Sequence, residues 1–347
     1  MQSVSSLLLG WYDQHKRTLP WRGLRDPYAI WVSETMLQQT RVETVLSYYP
    51  RFIQAFPTVQ ALADAPLDDV LKLWEGLGYY RRAQNLHKGA QQVVKDYHGA
   101  LPRSVTELMK IHGIGDYTAG AIASIAYGLP VPAVDGNVIR VVSRLRGIRE
   151  NVGIPSVKRA LTADAAALVP LERPGDFNQA LMDLGSAICT PSTPDCVACP
   201  LMHCCDACRE GDAELLPVLP RKNPPREIDY DLLLIRSGSR VLVHQRTETL
   251  LQGLWIFPML EEHHAPSALP AAVKRRLGLK TEKAVFLDDA RHVFTHQVWQ
   301  MKIYLLDTAC DAAPDGWRFV TVQELAALPM PTAVMKARKA IGDLLQD

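Results

Sequence analysis

The sequence predicts two domains, a larger all-α domain followed by a smaller α+β domain, on three observations. At 347 residues the chain is longer than one hydrophobic core ordinarily serves. From residue 1 to about 209 the apolar residues recur at helical spacing, punctuated by Pro57, Pro66, Gly76-Leu77-Gly78 and the Gly/Pro breaks at 99–102 and 128–132, with no strand series among them. Residues 210–226 then carry Pro217, Pro220, Pro224 and Pro225 among charged side chains, which suits an extended linker.

In chain order, Ile30, Glu34 and Leu37 share one face of a helix within 28–40, which sets an acid among apolar neighbours. Helices over 105–110 and 118–126 flank a Gly-x-Gly turn, and a third follows Asp135, with Val138, Val141, Val142 and Leu145 as its apolar stripe. A helix over 178–188 leads into the cysteines. Beyond the linker, Asp231-Leu232-Leu233-Leu234-Ile235-Arg236 and Arg240-Val241-Leu242-Val243-His244 flank Ser237-Gly238-Ser239, a β-hairpin signal. Further strands are expected over 284–287 and 298–306, and helices over 271–277 and 334–345.

Composition excludes several classes. Hydrophobic content of 48% with 22% charged residues is ordinary for a soluble globular chain, and no apolar run is long enough to span a bilayer. Asp13, His15, Lys16 and Arg17 follow the short apolar run at 7–9, an order unlike a secretory signal, so a cytoplasmic address is expected, on the nucleoid if the source is bacterial. Net charge is only +1, so any polyanion must be held by locally placed charge.

Six of the seven cysteines fall within 189–208, which in a reducing compartment points to a metal site rather than disulfides. Cys189-x6-Cys196-x2-Cys199-x5-Cys205 places four thiolates on one tight loop; the unequal spacing is compatible with structural zinc or with a 4Fe–4S cluster. Cys204 and Cys208 are surplus to four ligands.

In Ile111-His112-Gly113-Ile114-Gly115-Asp116-Tyr117-Thr118, the glycines permit a tight turn that exposes backbone N–H groups to a phosphate at a helix start. Asp135, in Val134-Asp135-Gly136-Asn137, is placed to cap the next helix. Glu34 is either tolerated at a partly exposed edge or held with a raised pKa for proton transfer.

The cysteine spacing and the hairpin resemble the endonuclease III and MutY superfamily of helix-hairpin-helix DNA glycosylases. Leu19-Pro20-Trp21-Arg22, Trp31-Val32-Ser33-Glu34, Met36-Leu37-Gln38-Gln39-Thr40 and Gly76-Leu77-Gly78-Tyr79-Tyr80 narrow the resemblance to MutY-type adenine glycosylases. It implies a glycosylase domain at 1–209, with a six-helix hairpin module at about 24–130 and an iron–sulfur module of 1–23 plus 131–209. A linker at 210–228 and a Nudix-like domain at 229–347 follow.

The same resemblance implies a 4Fe–4S cluster on Cys189, Cys196, Cys199 and Cys205, double-stranded DNA bearing adenine opposite 8-oxoguanine or guanine as partner, and a monomer. Glu34 is then the acid for adenine N7 and Asp135 the stabiliser of the sugar cation, with Asn137 beside them. Arg17, Leu19, Trp21, Arg22 and Gln179 line the adenine pocket. Gln38, Gln39, Tyr79, Gly113 and Gly115 meet the DNA. Strand-cleaving relatives carry a Schiff-base lysine where this chain has Tyr117, so a monofunctional enzyme is expected over an endonuclease III-like lyase.

Gly253-Leu254-Trp255-Ile256-Phe257-Pro258 resembles the start of a Nudix fold. The spaced glutamates of a magnesium-binding helix are missing, and Glu261-Glu262-His263-His264 is followed by Ala-Pro, so pyrophosphate hydrolysis is not expected. In MutY proteins this domain checks the base opposite adenine, a role the resemblance gives to Phe294, Thr295 and His296.

Overall fold

The computed structural model describes residues 3–220 and 223–346. Its chain divides into two compact units, one of residues 1–64 and 85–222, the other of 65–84 and 223–347. The described residues of the first unit hold no strand. Its helices are α1 (Val4–His15), α2 (Pro27–Leu37), α3 (Val42–Ala55) and α4 (Val59–Asp64); after α5 (Leu67–Leu73), which clusters with the second unit, come α6 (Arg81–Tyr97), α7 (Val105–Leu108), α8 (Asp116–Ile125), α9 (Gly136–Arg146), α10 (Pro155–Leu168), α11 (Pro174–Ala187) and α12 (Asp206–Glu210).

Local chemistry sets the starts of the helices that matter most. Asp26 caps α2, accepting from Tyr28 N, and Pro27 supplies the fixed φ of a first helical turn. From Tyr28 to Met36 every residue of α2 is buried, so Glu34 lies in the interior rather than at an exposed edge. The predicted stripe of α9 is the buried face, and with Leu8, Tyr12, Phe177, Leu181 and Leu184 it forms the core under α1, α9 and α11. Removing one such side chain as large as Phe177 costs about 3–5 kcal/mol.

The chain after α12 is not a free linker. Arg144 Nε donates to Leu216 O at 3.0 Å and Val152 N to Val218 O at 3.0 Å, holding this stretch on the first unit. Residues 221 and 222 lie outside the described residues.

The second unit is built on one mixed sheet. Its strands are β1 (Arg226–Ser237), β2 (Arg240–Gln245), β3 (Trp255–Ile256), β4 (Met259–Glu261), β5 (Val285–Val293), β6 (Gln297–Asp307) and β7 (Trp317–Val320), accompanied by α13 (Leu269–Leu277), α14 (Val322–Ala327) and α15 (Met335–Gln346). The sheet order is β3-β2-β1-β6-β5, with β4 also paired to β1 and β7 to β2. The predicted hairpin is present, closed by Arg236↔Val241 and Ser237↔Arg240. β1 and β6 pair in parallel from Arg226↔Gln297 to Arg236↔Asp307, and both faces of the sheet are covered.

Residues 65–84, expected within the helical domain, cluster with this unit. Hydrogen bonds explain the grouping: Arg338 and Met330 N both reach Glu75 Oε1, Trp255 Nε1 reaches Asp68, and Gln84 Nε2 donates to Gln252 O at 2.6 Å. No helix among the described residues is long and apolar enough to cross a membrane.

Candidate active site

Two carboxylates lie close enough for one charge to act on the other, Asp135 at the start of α9 and Glu34 on α2. Asp135 is the N-cap of α9: Oδ1 accepts from Val138 N at 2.7 Å and Oδ2 from Asn137 Nδ2 at 2.8 Å. Burial raises its pKa, while these donors and the nearby Arg140 pull it back down. Asp135 therefore both caps α9 and lines an open cleft.

Glu34 is 5% exposed, and Tyr117 donates its hydroxyl to Glu34 Oε2. Burial pushes the Glu34 carboxyl up to about 7; the charge of Asp135 pushes the same way, while the Tyr117 hydrogen bond and the Arg22 charge oppose it. Of the two fates open to Glu34, its burial excludes the partly exposed edge. Tyr117, raised well above its ordinary value mainly by burial, stays a neutral donor. It is also the link to open space, since Tyr117, Asp135 and Asn137 line a cleft of about 1480 Å³ whose wall Glu34 meets through the phenol.

The hairpin forms another wall of this cleft. Gly113 has φ +83°, and a Cβ there would lie 2.8 Å from Asn85 Cβ, so this position requires glycine. Gly115 is in extended backbone that any residue adopts and caps α8 without a side chain. Gln38 and Gln39 line the cleft as well; Gln38 Nε2 donates to Thr118 Oγ1 at 3.2 Å.

Arg17, Leu19, Trp21, Arg22 and Gln179 are absent from the cleft lining. Leu19 and Trp21 are buried, Trp21 edge-on to Tyr49, and Gln179 Nε2 turns back to Gly175 O. Arg22 is no solvated edge charge: it grips buried Asp183 through both Nη atoms, at 2.7 and 2.9 Å, and Arg17 joins the same carboxylate. The sequence reading missed Asp183, although it lies one turn after Gln179 on α11. It also missed Arg140, one turn after Asn137, whose guanidinium donates to Asn137 Oδ1 at 2.8 Å and to Cys189 O at 2.7 Å.

The cysteines surround a small cavity of about 20 Å³ lined by Cys189, Cys196, Cys199, Cys205 and Cys208. Cys204 is exposed, turns its thiol to Leu201 O and does not line the cavity. Arg144, 1% exposed, spends its donors on three carbonyls and on Cys189 Sγ at 3.2 Å, a buried cation beside the thiols. Among the described residues, no three His, Cys, Asp or Glu side chains close on a point where one metal ion would sit.

In the second unit, Tyr79 and Thr295 meet across 216 residues of sequence, hydroxyl to hydroxyl at 3.3 Å. Tyr79 has φ 47° and is half exposed, so it is not a core aromatic. Phe294, Thr295 and His296 form the turn between β5 and β6; Phe294 packs edge-on to Trp299, and Thr295 and His296 are exposed. His263 and His264 both direct Nδ1 at buried Asp231, pinning the segment after β4 to β1, and α13 beyond it carries no Asp or Glu.

Residues 32–164 match the family model of the HhH-GPD superfamily of base excision DNA repair proteins, and residues 232–340 that of the NUDIX domain. The chain is 38% identical to an adenine DNA glycosylase of Mus musculus, over 97% of this chain and 78% of the relative. It is 37% identical to an adenine DNA glycosylase of Homo sapiens, over 95% of this chain and 72% of the relative. Among solved structures, a thermostable thymine-DNA glycosylase with 30% identity superposes with a TM-score of 0.54, covering 59% of this chain and 95% of that one.

Proposed function

The chain belongs to the adenine DNA glycosylases, base-excision enzymes that hydrolyse an N-glycosidic bond in DNA, and from that premise we propose that it releases adenine mispaired with 8-oxoguanine or guanine and leaves the strand uncut. The observation that carries the reading is Glu34: a buried carboxyl at about 7, under the influence of a second carboxylate and bonded to Tyr117, which lines the open cleft.

Adenine leaves deoxyribose poorly unless protonated, and the departing sugar develops positive charge. The base must first leave the stack to reach either carboxylate. A carboxyl near 7 is half protonated at neutral pH and can give its proton to adenine N7; Glu34 fills this role. Asp135, held at the helix start by Val138 N–H and the Asn137 amide, presents negative charge to the sugar. Their environments differ in donors, which lets two acids divide the work. Tyr117 holds Glu34 in place, and a phenol cannot form the imine a lyase needs. Arg22, whose charge reaches Glu34, together with Arg17, Leu19, Trp21 and Gln179, forms the adenine side of the site in this reading, set back from the residues that line the open cleft. Gln38, Gln39, Tyr79, Gly113, Gly115, Phe294, Thr295 and His296 meet the duplex and the oxidised base.

Cys189, Cys196, Cys199 and Cys205 would hold a 4Fe–4S cluster. A 4Fe–4S cluster takes one cysteine sulfur per iron, and four thiols placed around one cavity beside buried Arg144 supply that set. When bound it supplies structure, ordering the loop from which Cys189 O accepts Arg140.

The test is a panel of duplexes with adenine opposite 8-oxoguanine, guanine or thymine, scored separately for free adenine and for nicked strand. Fast release opposite 8-oxoguanine, slower opposite guanine, and no nicking is the expected result; strong nicking by the pure protein overturns the monofunctional reading.

A further inference from the structure

The cavity at the cysteine loop has one thiol more than a four-iron cluster uses. Cys205 is the N-cap of α12, and Cys208 lies three residues on, on the same helix face, so the helix that delivers Cys205 delivers Cys208 as well. Cys208 and Cys196 line the same small cavity, and their thiols are close enough to interact. Cys189 Sγ takes the Arg144 guanidinium, and Cys205 Sγ faces Arg144 O at 3.3 Å. Cys204 points away and takes no part.

We propose that Cys208 is a reserve iron ligand: it sits against Cys196 and takes over that coordination position when Cys196 is lost. The exchange is a ligand substitution with no redox change; the Cys208 thiol gives its proton to solvent, and its sulfur forms the iron bond that Cys196 no longer makes. This rests on the cluster reading above, and the experiment separates the two.

The full-length protein and its Cys196→Ala, Cys199→Ala, Cys208→Ala and Cys196→Ala/Cys208→Ala variants are loaded anaerobically with ferrous iron and sulfide. Bound iron, acid-labile sulfide and visible charge-transfer absorption are measured, with circular dichroism to confirm folding. Cys208→Ala is expected to match wild type, and Cys196→Ala to hold cluster within about twofold of it, while Cys199→Ala and the double variant fall about tenfold or more. Cys196→Ala falling as far as Cys199→Ala, the double variant retaining cluster, or Cys208→Ala losing it overturns the proposal. A wild type that binds no iron and sulfide sinks the cluster reading itself.

Discussion

Glu34 shows how burial and charge set the working state of one residue. Its carboxyl rises from 4.5 to about 7 in the folded protein. The native state therefore holds a proton that the unfolded chain has released between those values, and stability falls as pH rises through that window. Above about 7 the buried charge costs its full amount, up to about 3 kcal/mol. Glu34→Gln, which keeps an oxygen for the Tyr117 hydroxyl, should unfold at higher denaturant than wild type at pH 8, and the advantage should vanish below about pH 4.5. Equal stability at both pH values would mean that Glu34 is not desolvated. The sequence placed Glu34 among apolar residues but left its protonation open, because periodicity shows one helix face and not that α2 is enclosed on every side.

At the scale of elements, the start of α9 depends on how closely α11 approaches it. A Cβ on Gly185 would stand 2.7 Å from Asn137 Cβ, and Asn137 is the residue that donates to Asp135. Gly185→Ala should push Asn137 aside and slow adenine release on the order of tenfold per folded molecule, with a stability loss of about 1–3 kcal/mol. Single-turnover rates normalised to folded protein check it; an unchanged rate would show that Asn137 does not set the geometry of Asp135. Helix starts were legible because caps are local: Asp26-Pro27 and Asp135-Gly136 announce themselves. Close approaches are not, since nothing near Gly185 in sequence points to Asn137. The short strands β3, β4 and β7 escaped notice for the same reason, having two to four residues each and deriving their pairing from distant partners.

At the scale of the molecule, the two-domain division was visible in composition, but the membership of residues 65–84 was not. Their helical pattern matches the first unit, while Asp68, Glu75 and Gln84 spend their polar groups on the second. That grouping brings Tyr79 to Thr295, two residues assigned separately to the oxidised base. Thr295→Val removes the hydroxyl and should reduce the preference for adenine opposite 8-oxoguanine over adenine opposite guanine by about tenfold, with little change opposite guanine. Competition between the two duplexes reads this out, and an unaltered preference would remove Thr295 from the recognition surface. Glu34 remains the centre of the account. The most direct measurement is single-turnover adenine release from an A:8-oxoguanine duplex by wild type and Glu34→Gln across pH. Wild-type release should decline as pH rises through about 7, with Glu34→Gln slower on the order of 100- to 10,000-fold while still binding the duplex; release by Glu34→Gln within about tenfold of wild type, with the same pH profile, would contradict the account.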